Sequence, residues 1–271
     1  MADIAVNISG KVAWVTGASS GIGRALALAL VRERAQIILS GRRADALAAV
    51  AAEAGGDCLI LPFDTTDMAS LPTVVTQAYG WRGRIDILVN NAGISQRSLA
   101  VDTDGCVYDQ VIGTDLIAPI HLTQACLPHL VANKTGLVVA ISSVAGRIGV
   151  PLRTAYCAAK HGLIGYMDAL RAEAEVAHGL RVLTVLPGSV ATDVARNALT
   201  GQGTRRGISD SVIDNGIPVD ECAAEIVAAI LGDVRELIVA RGMELDMARL
   251  RQSDGDALFA LTAKLGAQIA G

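Results

Sequence analysis

The chain has 271 residues, a formal net charge of −4 and five scattered cysteines; 52% of it is hydrophobic and only 3% aromatic. The slight acidity leaves no broad basic field to recruit nucleic acid, and Cys58, Cys106, Cys126, Cys157 and Cys222 are odd in number and unspaced, which argues against a disulfide framework and for reduced intracellular thiols. A core short of rings has to be built from Ala, Val, Leu and Ile, which suits buried parallel strands flanked by Ala-rich helices.

In chain order, Val12–Thr16 reads as a strand, residues 22–31 as a helix, Gln36–Ser40 as a strand, Ala44–Ala54 as a helix and 58–61 as a third strand. Residues 67–79 predict a helix and 85–90 a strand; a long helical stretch over 103–131 follows, then a strand at 137–142, a helix at 155–178 and a strand at 181–186. Residues 193–218, rich in Gly, Arg, Ser, Asp and Asn, break the rhythm as a long loop. A helix at 220–231 and a strand at 235–240 complete the alternation. The tail, 244–269, sets Leu245, Met247, Leu250, Leu258, Phe259, Leu261 and Leu265 among charges, the pattern of a packed terminal helix.

This order predicts an α/β protein: one domain over 1–271, with a doubly wound parallel sheet of about seven strands and helices on both faces. Ligands of such sheets bind beyond the carboxyl ends of the strands, so functional residues should follow strands. No apolar run reaches the ~20 residues of a membrane span, and the first residues show no signal- or transit-peptide pattern. The expectation is a soluble cytoplasmic protein without a membrane partner. His121, His129, His161 and His178 are not grouped as metal ligands, so no metal site is expected.

Directly after the first strand comes Thr16-Gly17-Ala18-Ser19-Ser20-Gly21-Ile22-Gly23, opening a helix. Glycines let the backbone turn tightly against a pyrophosphate, which then meets the positive end of the helix dipole. Asn90-Asn91-Ala92-Gly93 closes the fourth strand, Ser142-Ser143 the fifth, Tyr156-x-x-x-Lys160 opens a long helix, and Pro187-Gly188 follows the sixth strand. In combination these marks resemble the short-chain dehydrogenase/reductase family over roughly residues 10 to 240, which implies a Rossmann-type domain.

The second strand ends in Ser40-Gly41-Arg42-Arg43, without the carboxylate that would accept from an NAD ribose. Arg42 resembles the residue that pairs with the 2′-phosphate of NADP, and Arg43 adds charge or stacks on adenine. The expected cofactor is NADP(H) rather than NAD(H). By resemblance, Asp64 contacts the adenine amine with Thr65 beside it. The cofactor also meets Gly17, Ser19, Ser20, Gly21, Ile22, Gly23, Asn91, Ala92, Gly93 and Pro187, and Gly188 lets the chain pass the nicotinamide while Val190 and Thr192 contact its carboxamide.

Tyr156 and Lys160, four apart on a helix, share a face. A lysine ammonium favours the phenolate of a tyrosine whose ordinary pKa is about 10. Tyr156 would then exchange a proton with an alcohol or ketone oxygen. Lys160 would also hold the ribose hydroxyls, and Ser143 would donate to the substrate oxygen. Family members of this kind transfer the pro-S hydride.

Asp115 departs from the pattern, standing where the family carries Asn with its main-chain carbonyl in a water relay to the lysine. A carboxylate there would place negative charge near Lys160 and disfavour the phenolate. Either Asp115 is tolerated, protonated or turned away, or the site is slow or inactive; tolerance is the expectation. The leading function is hydride transfer between NADP(H) and a small-molecule carbonyl or secondary alcohol. The alternative is a catalytically weak or inactive NADP-binding regulatory protein, and a scaffold or membrane-tethered protein using the tail is a third. The helices of Asp115 and Tyr156 resemble those that pair between subunits, implying a homodimer or homotetramer. Segments 144–154 and 193–218 would wall the substrate.

Overall fold

The computed structural model describes residues 6–132 and 134–270. Strand β1 (Val12–Thr16) is buried on both sides: Ala13 and Val15 enter one core layer, Val12 and Trp14 the other. Strands β2 (Gln36–Ser40) and β3 (Cys58–Ile60) pair outward from one edge of β1, in parallel. From the other edge run β4 (Ile87–Asn90), β5 (Leu137–Ile141), β6 (Arg181–Pro187) and β7 (Glu236–Val239), also parallel. The sheet order is therefore β3-β2-β1-β4-β5-β6-β7. The chain reverses direction across the sheet between β1 and β4, which opens a crevice at their carboxyl ends.

Helices cover both faces, as continuous apolar strands require. On one side α1 (Gly21–Arg32), α2 (Ala44–Ala54) and α8 (Val219–Leu231) bury Leu26, Leu30, Leu47, Ile226 and Ile230. On the other, α3 (Leu71–Arg82), α5 (Ala118–Ala132) and α6 (Thr154–His178) bury Val74, Leu122, Leu163 and Met167. The polar groups within this core are paired: Trp14 Nε1 donates to Ser40 Oγ at 2.8 Å, and Ser40 donates on to the Leu61 carbonyl at 2.7 Å.

Three elements differ from the sequence reading. The long helix expected over 103–131 is two helices, α4 (Gly105–Ile112) and α5, joined by a π turn at Gly113–Ile117. Gly113, Thr114 and Asp115 are weak helix formers, and the widened turn buries Asp115. The 193–218 loop is fastened by bridges from Gln96 to Leu199 and from Val190 to Ile217, and it contains the short helix α7 (Ser211–Asp214). The tail is two helices, α9 (Gly242–Ser253) and α10 (Gly255–Ala270). Asp254 breaks it by accepting from the Ala257 N–H at 2.9 Å, an N-cap signal present in Ser253-Asp254-Gly255. Met247, Ala248 and Leu258 of the tail pack on Val144 and Ile148, the segment following Ser143.

Candidate active site

Thr16 ends β1, and its hydroxyl organises the crevice. It donates to the Val89 carbonyl at 3.1 Å and accepts from the N–H groups of Asn91 (3.0 Å) and Ala92 (3.1 Å). The Asn91 side-chain amide donates to the Thr16 carbonyl at 2.9 Å. Gly17, at φ +64°, packs so closely here that a side chain would meet Asn91 Nδ2 at 2.8 Å and the Ala92 Cα at 2.9 Å. These bonds clamp the two strand ends flanking the crevice; the sequence reading passed over Thr16 because its hydroxyl acts inside the scaffold.

The helix α1 begins at an extended Ser20 that makes no side-chain capping bond. The first-turn amides of Gly21, Ile22 and Gly23 thus point from a glycine turn with the positive helix end behind them, and this fits a pyrophosphate. Thr192 forms the opposite wall, its methyl 3.3 Å from where a Gly21 side chain would begin.

Beyond β2, Arg42 is exposed, and Arg43 donates to Ser19 Oγ at 3.2 Å, tying the strand end to the glycine turn. Asp64 accepts from the N–H and hydroxyl of Thr66 at 2.9 and 2.7 Å. Burial alone would raise the Asp64 carboxyl, but the Thr66 donors and the nearby Arg42 guanidinium carry it below its ordinary value. Thr65 lines a narrow cleft with Asn90, Ala92 and Thr114. Guanidinium groups beside a half-open carboxylate offer polar partners to a nucleotide at this strand end.

The chemistry-bearing side chains gather at the carboxyl end of β5. Ser143 is nine-tenths buried, with its hydroxyl donating to the Pro187 carbonyl at 3.2 Å and accepting from the Ala145 N–H at 3.1 Å. Ser142 donates to the Lys160 carbonyl at 3.0 Å, which locks this turn onto α6. Lys160, 4% exposed, donates to the Ile141 carbonyl at 3.0 Å, and its ammonium lies 5.5 Å from the ring centroid of the half-buried Tyr156.

Asp115 does not turn away. Its Oδ1 accepts from the Ile94 N–H at 2.8 Å, and Oδ2 lies 3.0 Å from Lys160 Nζ, an ion-pair contact whose alignment falls short of a hydrogen bond. The same carboxylate fills the space beside Gly93, where a Cβ would sit 2.8 Å from Oδ2. Burial alone would lower the Lys160 ammonium; the Asp115 carboxylate, and after it Tyr156, more than offset this and hold Lys160 above its ordinary value. Complete burial pushes the Asp115 carboxyl upward, against the pull of Lys160 and the Ile94 N–H.

The passage after β6 is held from an unexpected direction. The Gly188 N–H bonds the Val239 carbonyl at 2.9 Å, and a side chain at Gly188 would collide with Glu244. Glu244, in the first turn of α9, accepts from the Ser189 N–H at 2.6 Å and the Ser189 hydroxyl at 2.9 Å. Val190 is buried and bridges to Ile217. Glu244 and Ser189 are 55 residues apart, so no local pattern announced the contact. Gly17, Asn91 and Ala92 meet where β1 and β4 end, Gly21 faces Thr192, Ser143 bonds the Pro187 carbonyl at the ends of β5 and β6, and Lys160 reaches Asp115 from α6.

A model of the short chain dehydrogenase family matches residues 11–203. The chain belongs to the short-chain dehydrogenase/reductase family. Among its relatives is dehydrogenase/reductase SDR family member 7 of Homo sapiens, 35% identical over 266 residues, covering 96% of this chain and 78% of that protein. A short-chain dehydrogenase from Streptomyces avermitilis superposes with a TM-score of 0.82 at 28% identity, over 97% of this chain and 99% of the other. A metagenomic short-chain oxidoreductase in complex with NADP is 31% identical with a TM-score of 0.72, over 88% of this chain and 100% of the other. Other solved chains of this fold include a complex with NAD. The family thus makes the chain an oxidoreductase with a nucleotide crevice, and Glu244 lies outside the segment that the family model matches. Among the described residues no helix is long and apolar enough to cross a membrane.

Proposed function

We propose that the chain reduces a small-molecule carbonyl, and oxidises the corresponding secondary alcohol, with NADP(H) as cofactor. The observation that carries this reading is the Lys160 ammonium 5.5 Å from the Tyr156 ring, on a helix locked by Ser142 to the strand end bearing Ser143. A bound reduced nicotinamide supplies the hydride. Tyr156 donates its hydroxyl proton to the carbonyl oxygen. Ser143 turns its hydroxyl from the Pro187 carbonyl toward the same oxygen and stabilises the charge that develops there. Lys160 keeps its ammonium within reach of the phenolate left behind, and Arg42 takes the 2′-phosphate.

Arg42 carries the choice of nucleotide. A charge-assisted bond contributes about 1.5–3 kcal/mol, so Arg42→Asp should lower kcat/KM with NADPH by about 10- to 100-fold relative to NADH. Side-by-side kinetics with both nucleotides check this, and an unchanged ratio would remove Arg42 from the site. Glu244 should matter to binding as well: Glu244→Ala frees Ser189 and is expected to weaken NADPH about tenfold in a fluorescence titration, a change near 1.4 kcal/mol. An unaltered Kd would leave Glu244 with a purely packing role.

A second reading, a nucleotide-binding protein without turnover, draws on the Asp115 carboxylate at 3.0 Å from Lys160. A panel of ketones and aldehydes followed by NADPH absorbance separates the two. Turnover abolished by Tyr156→Phe supports the reductase, and tight NADPH binding with no turnover supports the other.

A further inference from the structure

We propose that the carbonyl compound reduced by this chain carries an anionic group, a carboxylate or a phosphate, which Arg97, Arg153 and Arg206 bind at the start of α6. The inference rests on the reading of Tyr156 as the proton donor, and it names the substrate class for that site. Bonds between distant segments bring the three arginines together. The Ala155 N–H, next to Tyr156, donates to Gln96 Oε1 at 2.7 Å, and the Ser98 N–H donates to the Leu152 carbonyl at 3.1 Å. Arg97 lies between Gln96 and Ser98, and Arg153 between Leu152 and Ala155. The 193–218 loop closes the group: the Arg97 N–H donates to the Leu199 carbonyl and the Arg206 N–H to the Ala198 carbonyl, both at 2.8 Å.

Three guanidinium groups here share one carboxylate. Asp210 Oδ2 lies 3.5 Å from Arg97 Nε and 3.7 Å from Arg206 Nη1, while Oδ1 accepts from the Ile213 N–H at 3.0 Å and is engaged at the start of α7. The neighbouring acids of the loop are occupied elsewhere: Asp193 pairs with Arg196, and Asp214 accepts from the Ser209 hydroxyl at 2.7 Å. Arg153 is half-buried and makes no ion pair among the described residues. The Arg97 side chain is only 7% exposed, so water screens this excess poorly. Burial first, then the Arg153 charge, carries the Arg97 guanidinium down to about 10 against the pull of Asp210, with Arg206 adding to the fall. It is still a cation at neutral pH. Buried positive charge in such excess is relieved by an anion and not by a neutral ligand.

Donors are left for that anion. Arg97 Nη1 bonds the Ser95 hydroxyl at 2.8 Å and the Gln96 carbonyl at 2.9 Å, and Nη2 has no partner among the described residues. Arg206 Nη1 is buried, and its approach to Asp210 at 3.7 Å is within ion-pair range but too long for a hydrogen bond. Guanidinium forks match the paired oxygens of a carboxylate or phosphate. The cofactor does not draw on these groups: Arg42 follows β2, on the other side of β1 from β4, whose end leads to Arg97. An anion held at the start of α6 fixes the remainder of the substrate relative to Tyr156, which is how remote binding orients a reacting carbonyl.

The test is reduction by NADPH of oxo acids and ketone phosphates of graded length, each beside its neutral partner, the methyl ester or the free hydroxyketone. The wild type should prefer the anionic member by about 10- to 100-fold in kcat/KM, and the better of the two anions identifies the group. Arg153→Gln and Arg206→Gln, at half-buried positions, should each cut that preference about tenfold. Arg97→Gln removes the buried member and should abolish it; the wild type and the other two variants decide if that protein does not fold. Calorimetric titration of the same compounds into the protein–NADP+ complex reads the preference without turnover. Equal kcat/KM for anionic and neutral members throughout would overturn the proposal. Arginine variants that lower both members alike would overturn it too, leaving the cluster as a staple for the 193–218 loop. Anions that bind through the arginines yet are never reduced, or reduction that survives Tyr156→Phe, would instead defeat the reading of Tyr156 and leave the anion site standing.

Discussion

Tyr156→Phe is expected to lower kcat for carbonyl reduction by about a thousandfold or more while leaving NADPH affinity within about twofold. Positioned proton transfer contributes about 10²- to 10⁴-fold, and the substitution removes only the oxygen that performs it. The ring keeps its packing against the cluster of Val107, Val111, Ala155 and Ala159, so thermal unfolding should shift little. Kinetics and a binding titration on the same preparation check both halves. A variant that retained a tenth of the activity would show that the proton comes from elsewhere, and Ser143 would be the next group to test.

Lys160→Met should cost stability as well as activity. Lys160 and Asp115 are 4% and 1% exposed and face each other at 3.0 Å. Removing one partner of such a pair strands the other, at about 3–5 kcal/mol, and in a chain of this size that lowers the unfolding temperature by about 10 °C. The stranded carboxyl has a folded-state value above its unfolded one, the direction its burial already imposes in the wild type. Its contribution is therefore most favourable below the unfolded value and is lost as pH rises through the folded value. The deficit of Lys160→Met should thus shrink on acidification toward about pH 4. Adding Asp115→Asn should restore most of the loss at neutral pH. Denaturant titrations of the two singles and the double measure this coupling; strictly additive losses would mean that the pair contributes nothing beyond its separate contacts.

Much of the scaffold was legible because its signals are local. The bounds of Val12–Thr16, Gln36–Ser40 and Ala44–Ala54 follow from β-branched runs and Ala-rich stretches with turn residues between them. The rule that ligands sit beyond strand ends then placed Gly17, Asn91, Ser143 and Gly188 around one crevice. What escaped the sequence depends on side-chain direction or on distant partners. The weak helix formers of Gly113–Ile117 were absorbed into one long helical stretch, because low propensity alone does not tell a π turn from a helix and the inward path of Asp115 toward Lys160 is not written locally. Thr16 and Glu244 act through bonds to residues 75 and 55 positions away. The break at Asp254 was written locally, as a cap residue before Gly255, but the apolar spacing across it reads continuously.

The destination of the reducing hydrogen is the most direct test of the proposed chemistry. NADPH deuterated at the pro-S position of C4 should deliver a single deuterium to the carbinol carbon of a reduced ketone, detected by mass spectrometry, and the pro-R isotopomer should deliver none. The Tyr156→Phe protein should bind either isotopomer and transfer deuterium at a rate reduced by about a thousandfold. Wild-type protein that binds NADPH yet labels no carbonyl compound, or labels it equally fast without the Tyr156 hydroxyl, would contradict the assignment.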